Sequence, residues 1–335
     1  MRNRLLKFLW TACTHFIQQI GTVLSAYQKT IGRAVTLSGV GVHGGAPASA
    51  TFLPADSDTG IVFQRSDLKG RAPEVRAHVS QIGATDLCTS LGPKESKIDT
   101  VEHLMAAIAA LGIDNLVVEV DGPEVPILDG TSARFIEAFD EAGIVSQEAK
   151  RRFIRILKTV RVEVGGSWGE FRPFAGTRFE VEIDFECPLI GRQKFADDVD
   201  EATFRNELAT ARTFGFMKDV ERLWASGHAL GSSLDNSLVI GDDNSVINPG
   251  GLRFKDEFVR HKTLDAVGDL ALAGLPFIGC FRSYRSGHRL NAETVKALLS
   301  DKSAFDIVEA SGIRKNTRAS DFVAVKPNIA APWAL

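Results

Sequence analysis

The chain predicts an α+β fold: two duplicated α/β-sandwich domains packed face to face, with the functional site at their interface. Three observations point there. At 335 residues, 44% of them hydrophobic, the chain can bury more than one core. Its two halves run through the same order of elements, strands followed by a long helix, a strand, a turn and a second helix, which marks an internal repeat. Each half also puts a histidine near the start of its first long helix, in Val101-Glu-His-Leu and in Val259-Arg-His-Lys. Two related units meeting face to face would bring those helices together.

The first element is a basic extension over 1–27. The first 55 residues hold five Lys or Arg (Arg2, Arg4, Lys7, Lys29, Arg33) and no Asp or Glu. Leu5, Leu6, Leu9, Cys13, Phe16, Ile17, Ile20, Val23 and Leu24 recur at helical spacing opposite Lys7, Thr11, Thr14, Gln18 and Thr22. Such a helix could lie on an anionic membrane surface, serve as a poor signal peptide, or be upstream sequence translated from a misplaced start. Thr14, His15, Gln18 and Gln19 interrupt the apolar stretch and make the signal peptide the weakest of the three. A dispensable or surface-binding extension is expected, with peripheral membrane contact through 5–24.

The first domain is expected over 28–150. Strands are predicted at 34–37, 48–53 and 60–63, with the Gly-rich turn Gly39-Val-Gly-Val-His-Gly-Gly45 between the first two. A helix follows over 100–111, closed by Gly112, then a strand at 116–120, a turn at Asp121-Gly122 and a helix over 132–142 stopped by Gly143. The second domain, 151–312, repeats the order. Strands fall within 153–164 and 178–186, with a turn at Gly165-Gly166. A helix over 257–273 is closed by Gly274, a strand spans 277–284, and Ser286-Gly287 turns into a helix over 292–300. Pro188 and the polar run 197–201 suggest a loop. The stretch 213–236 reads as an insertion carrying Met217, Val220, Leu223 and Trp224 on one helical face. The tail over 313–335 is Pro- and Ala-rich and is assigned no function.

A net charge of -3 and a pI near 6.2 argue against a nucleic-acid binder, which carries a basic excess, so a small-molecule substrate is expected. Cys13, Cys88, Cys187 and Cys280 are far apart and form no C-x-x-C pair, which fits a reducing cytoplasm. No run of 18 apolar residues exists to span a bilayer.

The polar residues of the long helices carry the chemistry. His261, Asp265 and Asp269 are spaced four and four, so on a helix they share one slowly drifting stripe. Alone, such a pair is commonly a solvated face worth a few tenths of a kcal/mol. In company with His103 on the other repeat's helix, His261 and Asp265 complete a three-ligand site of the kind that holds a catalytic zinc with one open position. The continuation Leu-Met-Ala-Ala after His103 excludes the H-E-x-x-H arrangement. Glu102, beside a ligand, is placed to take a proton from water. His288, in Tyr-Arg-Ser-Gly-His, could protonate a leaving group, with Asp269 holding it cationic; a plain turn histidine is the competing reading.

Six motifs in order carry a resemblance. They are Thr-Val-Glu-His-Leu (100–104), Gly-Ile-Asp-Asn (112–115), Glu-Val-Pro-Ile-Leu-Asp-Gly (124–130), Arg-Thr-Phe-Gly-Phe (212–216), Phe-Val-Arg-His-Lys-x-Leu-Asp-Ala-x-Gly-Asp (258–269) and Ser-Gly-His-x-Leu-Asn (286–291). The stretch from about 28 to 300 resembles the UDP-3-O-acyl-N-acetylglucosamine deacetylase family, zinc enzymes of the committed step of lipid A biosynthesis. The resemblance implies hydrolysis of the N-acetyl group with release of acetate, and a fold of duplicated α+β units, each with an insertion, around the zinc. It implies His103, His261 and Asp265 as zinc ligands, Glu102 as general base, His288 as general acid and Asp269 as the carboxylate supporting it. Thr213 matches a hydroxyl that helps polarise the carbonyl, and Phe214, Lys262 and His43 match substrate-contacting positions. Phe185 matches a residue that packs on the uracil, though a strand Phe is more often core. The insertion 213–236 resembles the family's acyl-chain passage, where burying ten methylenes contributes on the order of 8 kcal/mol before ordering costs.

Departures accompany the match. Ser167 stands before Trp168 where relatives carry a basic residue toward the diphosphate, and the first 27 residues have no counterpart. Cys88 falls near the pocket, where a buried inert thiol is expected. The expected agent is therefore a cytoplasmic, monomeric zinc amidohydrolase, with Fe2+ as the alternative ion and the inner membrane surface as a peripheral site. A catalytically silent binder of UDP-sugar or acyl chain is the competing reading, and retention of three ligands, a base and an acid together disfavours it. A fused dehydratase partner has no room in 335 residues.

Overall fold

The computed structural model describes residues 26–68 and 74–310; the predicted helix over 5–24 and the tail over 313–335 lie outside the described residues. The first unit runs β1 (Tyr27–Ile31), β2 (Val35–Val40), β3 (Pro47–Pro54), β4 (Ile61–Arg65), β5 (Val75–Arg76), α1 (Glu102–Leu111), β6 (Leu116–Val120), α2 (Ala133–Ala142) and β7 (Ile144–Lys150). The second runs β8 (Arg152–Ile156), β9 (Val160–Val164), β10 (Ser167–Arg172), β11 (Thr177–Asp184), β12 (Arg192–Asp198), β13 (Phe214–Phe216), α3 (Met217–Ala225), β14 (Leu238–Ile240), α4 (Glu257–Ala271), β15 (Phe277–Tyr284), α5 (His288–Ser300) and β16 (Phe305–Glu309).

The duplication read from the sequence is a duplication of topology. The first sheet has the order β2-β3-β6-β4-β5, and the second contains β9-β10-β15-β11-β12, the same path strand for strand. The pairings also share their senses: antiparallel, antiparallel, parallel and antiparallel along each path. In both units the parallel pair is bridged by the long helix, β4 to β6 through α1 and β11 to β15 through α4, because parallel neighbours require a crossover. β8 and β16 extend the second sheet, β1 pairs with β7, and β13 pairs with β14 inside the insertion.

The crossover helices lie against each other at the centre. Eight of the ten residues of α1 and twelve of the fifteen of α4 are buried, so neither helix keeps a broad wet face. Gly268 sets their separation: a Cβ added there would stand 2.0 Å from the Glu102 carbonyl oxygen. α1 ends at Gly112, whose left-handed backbone (φ 65°) turns its N–H back onto Ala109 O. The outer helices cover the sheets by ordinary amphipathic packing. Phe135 and Phe139 of α2, one turn apart on the buried face opposite the exposed Arg134, Glu137 and Glu141, pack edge-on against Phe52 of β3, with ring centroids 6.3 and 5.0 Å away.

Several boundaries differ from expectation. The last long helix begins at His288 rather than 292, because the chain turns at the extended Gly287 and its first turn, His-Arg-Leu-Asn, is too polar to show apolar periodicity. Asp197 and Asp198 belong to β12 rather than to a loop, and Asp198 pairs with Arg178 across the sheet at 2.7 Å. The long helix of the second unit ends at Ala271, two residues early. Met217, Val220, Leu223 and Trp224 of the insertion are not core residues: α3 has no buried residue, Val220 and Leu223 are half-buried, and Met217 and Trp224 are 41% and 55% exposed. Among the described residues no helix is long and apolar enough to cross a membrane.

Candidate functional site

Where α1 and α4 meet, His103, His261 and Asp265 converge, each at most 4% exposed. His103 is the second residue of α1, and its carbonyl accepts the Ser132 hydroxyl at 2.8 Å. His261 and Asp265 sit one turn apart on α4. Asp265 Oδ1 lies 3.5 Å from His103 Nε2 and 3.3 Å from His261 Nε2, and although it is buried it has no hydrogen-bond partner among the described residues. An orphaned carboxylate oxygen between two imidazoles is costly unless something cationic completes it. The spacing fits: a tetrahedral ion with bonds of about 2.0–2.1 Å sets its ligand atoms about 3.3–3.4 Å apart.

The protonation states also suit a metal. Burial pushes His261 down to about 4 against the pull of Asp265, so its ring is neutral. Its Nδ1 faces the Ala211 carbonyl at 3.0 Å, and a carbonyl only accepts, so the proton sits on Nδ1 and the Nε2 lone pair faces Asp265. Ala211 is fixed in turn by its neighbour Arg212, whose guanidinium and backbone N–H both bond the buried Glu257 carboxylate at 2.8–3.1 Å. Burial would raise the Asp265 pKa, but His261 and the Lys262 ammonium, 2.7 Å from Oδ2, hold it well below the carboxylate range.

An acid-base pair flanks the three ligand atoms. Burial raises the pKa of Glu102, with His288 and His103 opposing the shift; its Oε2 accepts the Thr89 backbone N–H at 3.0 Å and its Oε1 is 3.8 Å from His288 Nε2. Burial would lower His288, but Asp269 and Glu102 outweigh it and lift the imidazole to about 9. Its Nδ1–H donates to Asp269 Oδ2 at 3.0 Å, leaving Nε2 directed toward Glu102. Both oxygens of Asp269 are held, with Asn291 Nδ2 also donating to Oδ2 at 2.9 Å and the Thr89 hydroxyl to Oδ1 at 2.6 Å. The arrangement joins one carboxylate able to accept a proton to one cationic imidazole able to give one, beside a cluster able to hold a divalent ion.

The family described as UDP-3-O-acyl N-acetylglycosamine deacetylase matches residues 28–300, most of the chain. The chain belongs to this family. It is 84% identical over 287 residues to proteins named UDP-3-O-acyl-N-acetylglucosamine deacetylase from Brucella ovis and Brucella abortus, and 83% identical to one from Brucella melitensis biotype 2. In each case 86% of this chain and 100% of the relative are covered.

Of the remaining residues expected from the resemblance, Phe214 and Lys262 have contacts with the cluster itself. Phe214 stands with its ring centroid 6.3 Å from His261 and 5.0 Å from Phe258. Phe185, just past β11, is half-buried and joins Phe214 and Phe216 at 5.8 and 6.3 Å, so it belongs to an aromatic cluster rather than to the sheet core alone. Thr213 directly follows the Ala211-Arg212 segment and is pinned by its backbone to Gly130 and Leu238. His43 stacks edge-on to His228 of the insertion at 5.7 Å, and its buried Nδ1 has no partner among the described residues. Burial lowers its pKa despite Glu124, which also accepts the backbone N–H groups of His43 and Gly44. The insertion is anchored to the same Gly-rich turn through Leu230 N–H on His43 O and Gly231 N–H on Val42 O.

Beside Ser167, Trp168 is flanked by Arg161 and Arg282, at 4.2 and 5.6 Å from its ring, and both arginines are paired with Glu170. Cys88 is buried and its thiol pushed up by burial and by Glu102, which makes it inert. Sequence reading gave no role to Thr89, Asn291, Ala211 or Glu124. Asn291 had a usable signal, since it stands one helical turn after His288 on the same face. Thr89 and the Ala211 carbonyl had none, because their partners lie 180 and 50 positions away.

Proposed function

We propose that the chain is a zinc-dependent amidohydrolase that removes the N-acetyl group of UDP-3-O-acyl-N-acetylglucosamine, yielding acetate and UDP-3-O-acyl-glucosamine, in lipid A biosynthesis. The observation that carries the metal assignment is the orphaned Asp265 Oδ1 between the Nε2 atoms of His103 and His261. Two imidazoles and a carboxylate suit Zn2+, with Fe2+ as the alternative. A divalent ion held there supplies a lowered water pKa and polarisation of the acetyl carbonyl.

The chain's own groups do the rest. Glu102, fixed by the Thr89 N–H, takes a proton from the attacking water at Oε1 as the new C–O bond forms. Thr213 is assigned to polarising the acetyl carbonyl as charge develops on its oxygen, and Lys262 to substrate contact. His288, cationic below about 9, delivers the Nε2 proton to the departing glucosamine nitrogen as the C–N bond breaks. Asp269 keeps that imidazole oriented and charged. Phe214, Phe185 and His43 are assigned to substrate contact, and the exposed apolar residues of α3 to the acyl chain. The enzyme is proposed to act as a cytoplasmic monomer, with residues 5–24 as a peripheral membrane contact.

Glu102→Gln and His288→Ala test the assignment. Each lowers kcat by about 10²–10⁴-fold with metal content unchanged. Full turnover by either variant would remove it from the mechanism.

A further inference from the structure

Thr89 touches the base of the acid-base pair directly and the acid through its supporting carboxylate, Asp269. It is 1% exposed, in a loop of the first unit, and its two polar groups point in different directions. The backbone N–H donates to Glu102 Oε2 at 3.0 Å, within its own unit. The hydroxyl crosses the interface to Asp269 Oδ1 at 2.6 Å. His288 and Asn291 both serve the other oxygen, Oδ2, so among the described residues Thr89 is the side-chain donor that holds Oδ1. A carboxylate with donors on both oxygens cannot rotate without leaving one of them unpaired in a buried site.

We propose that Thr89 is a positioning residue for the deacetylation, fixing Glu102 and the Asp269–His288 pair in one frame across the domain interface. Proton acceptor and proton donor come from different units, so their separation depends on how the units sit. Thr89 ties that separation to one residue. The hydroxyl is the operative group: serine can keep it, the near-isosteric valine cannot, and the backbone N–H on Glu102 survives either change. The inference rests on the proposed reaction. Wild-type turnover tests that reaction, whereas ratios among variants and a turnover-free spectrum test Thr89.

The experiment compares full-length, zinc-loaded wild type with Thr89→Val, Thr89→Ala and Thr89→Ser. Valine and alanine are expected to lower kcat by about 10–100-fold, as loss of a supporting hydrogen bond does, with KM and metal content little changed. Serine is expected to retain kcat within about threefold. The downfield proton resonance of His288 Nδ1–H, identified by its loss in His288→Ala, is expected to shift in Thr89→Val and Thr89→Ala and to persist in Thr89→Ser. Wild-type kcat in Thr89→Val or Thr89→Ala overturns the proposal. So does a Thr89→Ser variant as impaired as the others, since that would make the methyl packing, not the hydroxyl, the requirement. If valine does not fold, alanine, which adds no bulk, decides against serine.

Discussion

Replacing Gly268 by alanine tests how the two long helices make the site. On helix propensity alone the change should stabilise α4 by about 1 kcal/mol. The structure predicts that this gain is cancelled or reversed. The new Cβ would stand 2.0 Å from the Glu102 carbonyl oxygen, 2.9 Å from its carbonyl carbon and 3.1 Å from the Ala106 nitrogen. A carbon needs about 3.3 Å from a carbonyl oxygen, so α1 and α4 must separate by roughly 1.3 Å. The obstacle is backbone and cannot swing away. Overpacking of this kind costs about 1–3 kcal/mol, which offsets or exceeds the propensity gain. The effect on function is larger, because the clash lies between Glu102 and His103 on one helix and Asp265 and Asp269 on the other. A displacement near 1 Å there lowers turnover on the order of 10²-fold, and it widens the 3.5 Å gap between His103 and Asp265 beyond what one ion spans. Urea unfolding, metal content after dialysis and acetate release read the three consequences. Wild-type stability, metal content and rate in Gly268→Ala would refute the reasoning that this glycine sets the helix spacing.

Other expectations follow from the same geometry. His288 acts only when protonated, so kcat/KM should fall as pH rises through about 9. In Asp269→Asn the carboxylate that lifts this pKa is gone, and the alkaline limb should move down toward the ordinary histidine value of about 6.5; an unmoved limb would exclude His288 as the titrating acid. Arg212→Met removes the guanidinium that neutralises the buried Glu257 carboxylate, leaves it only the backbone N–H groups of position 212 and Arg253, and loosens the Ala211 segment behind His261. It should cost about 3–5 kcal/mol in denaturant unfolding, and metal affinity should fall with it. Met217→Ser and Trp224→Ser change exposed residues of α3 and should leave stability within about 0.5 kcal/mol. KM should rise with acyl-chain length in these variants if α3 receives the chain, and a length-independent KM would count against that role.

What the sequence disclosed was local. His261, Asp265 and Asp269 share a stripe because four-residue spacing acts within one helix. The partner helix with His103 was found because the repeat places it at the equivalent point of the other unit. The repeated order of elements proved to be a repeated strand path. Edge strands were harder. β12, Arg-Gln-Lys-Phe-Ala-Asp-Asp, buries only Phe195 and carries no alternation to find. The start of α5 was hidden because His288 faces a buried carboxylate rather than an apolar core. Thr89 and the Ala211 carbonyl were illegible because their roles exist only once segments far apart in the chain meet. The aromatic group of Phe185, Phe214 and Phe216 likewise forms only when the insertion folds beside β11.

The most direct test of the account is acetate release from UDP-3-O-acyl-N-acetylglucosamine by the purified full chain, before chelation, after chelation and after zinc is restored. The account predicts release that disappears with the metal and returns with zinc, together with zinc bound at one ion per chain. Undiminished release after the metal is removed, or no release by a folded and zinc-loaded protein, would contradict it.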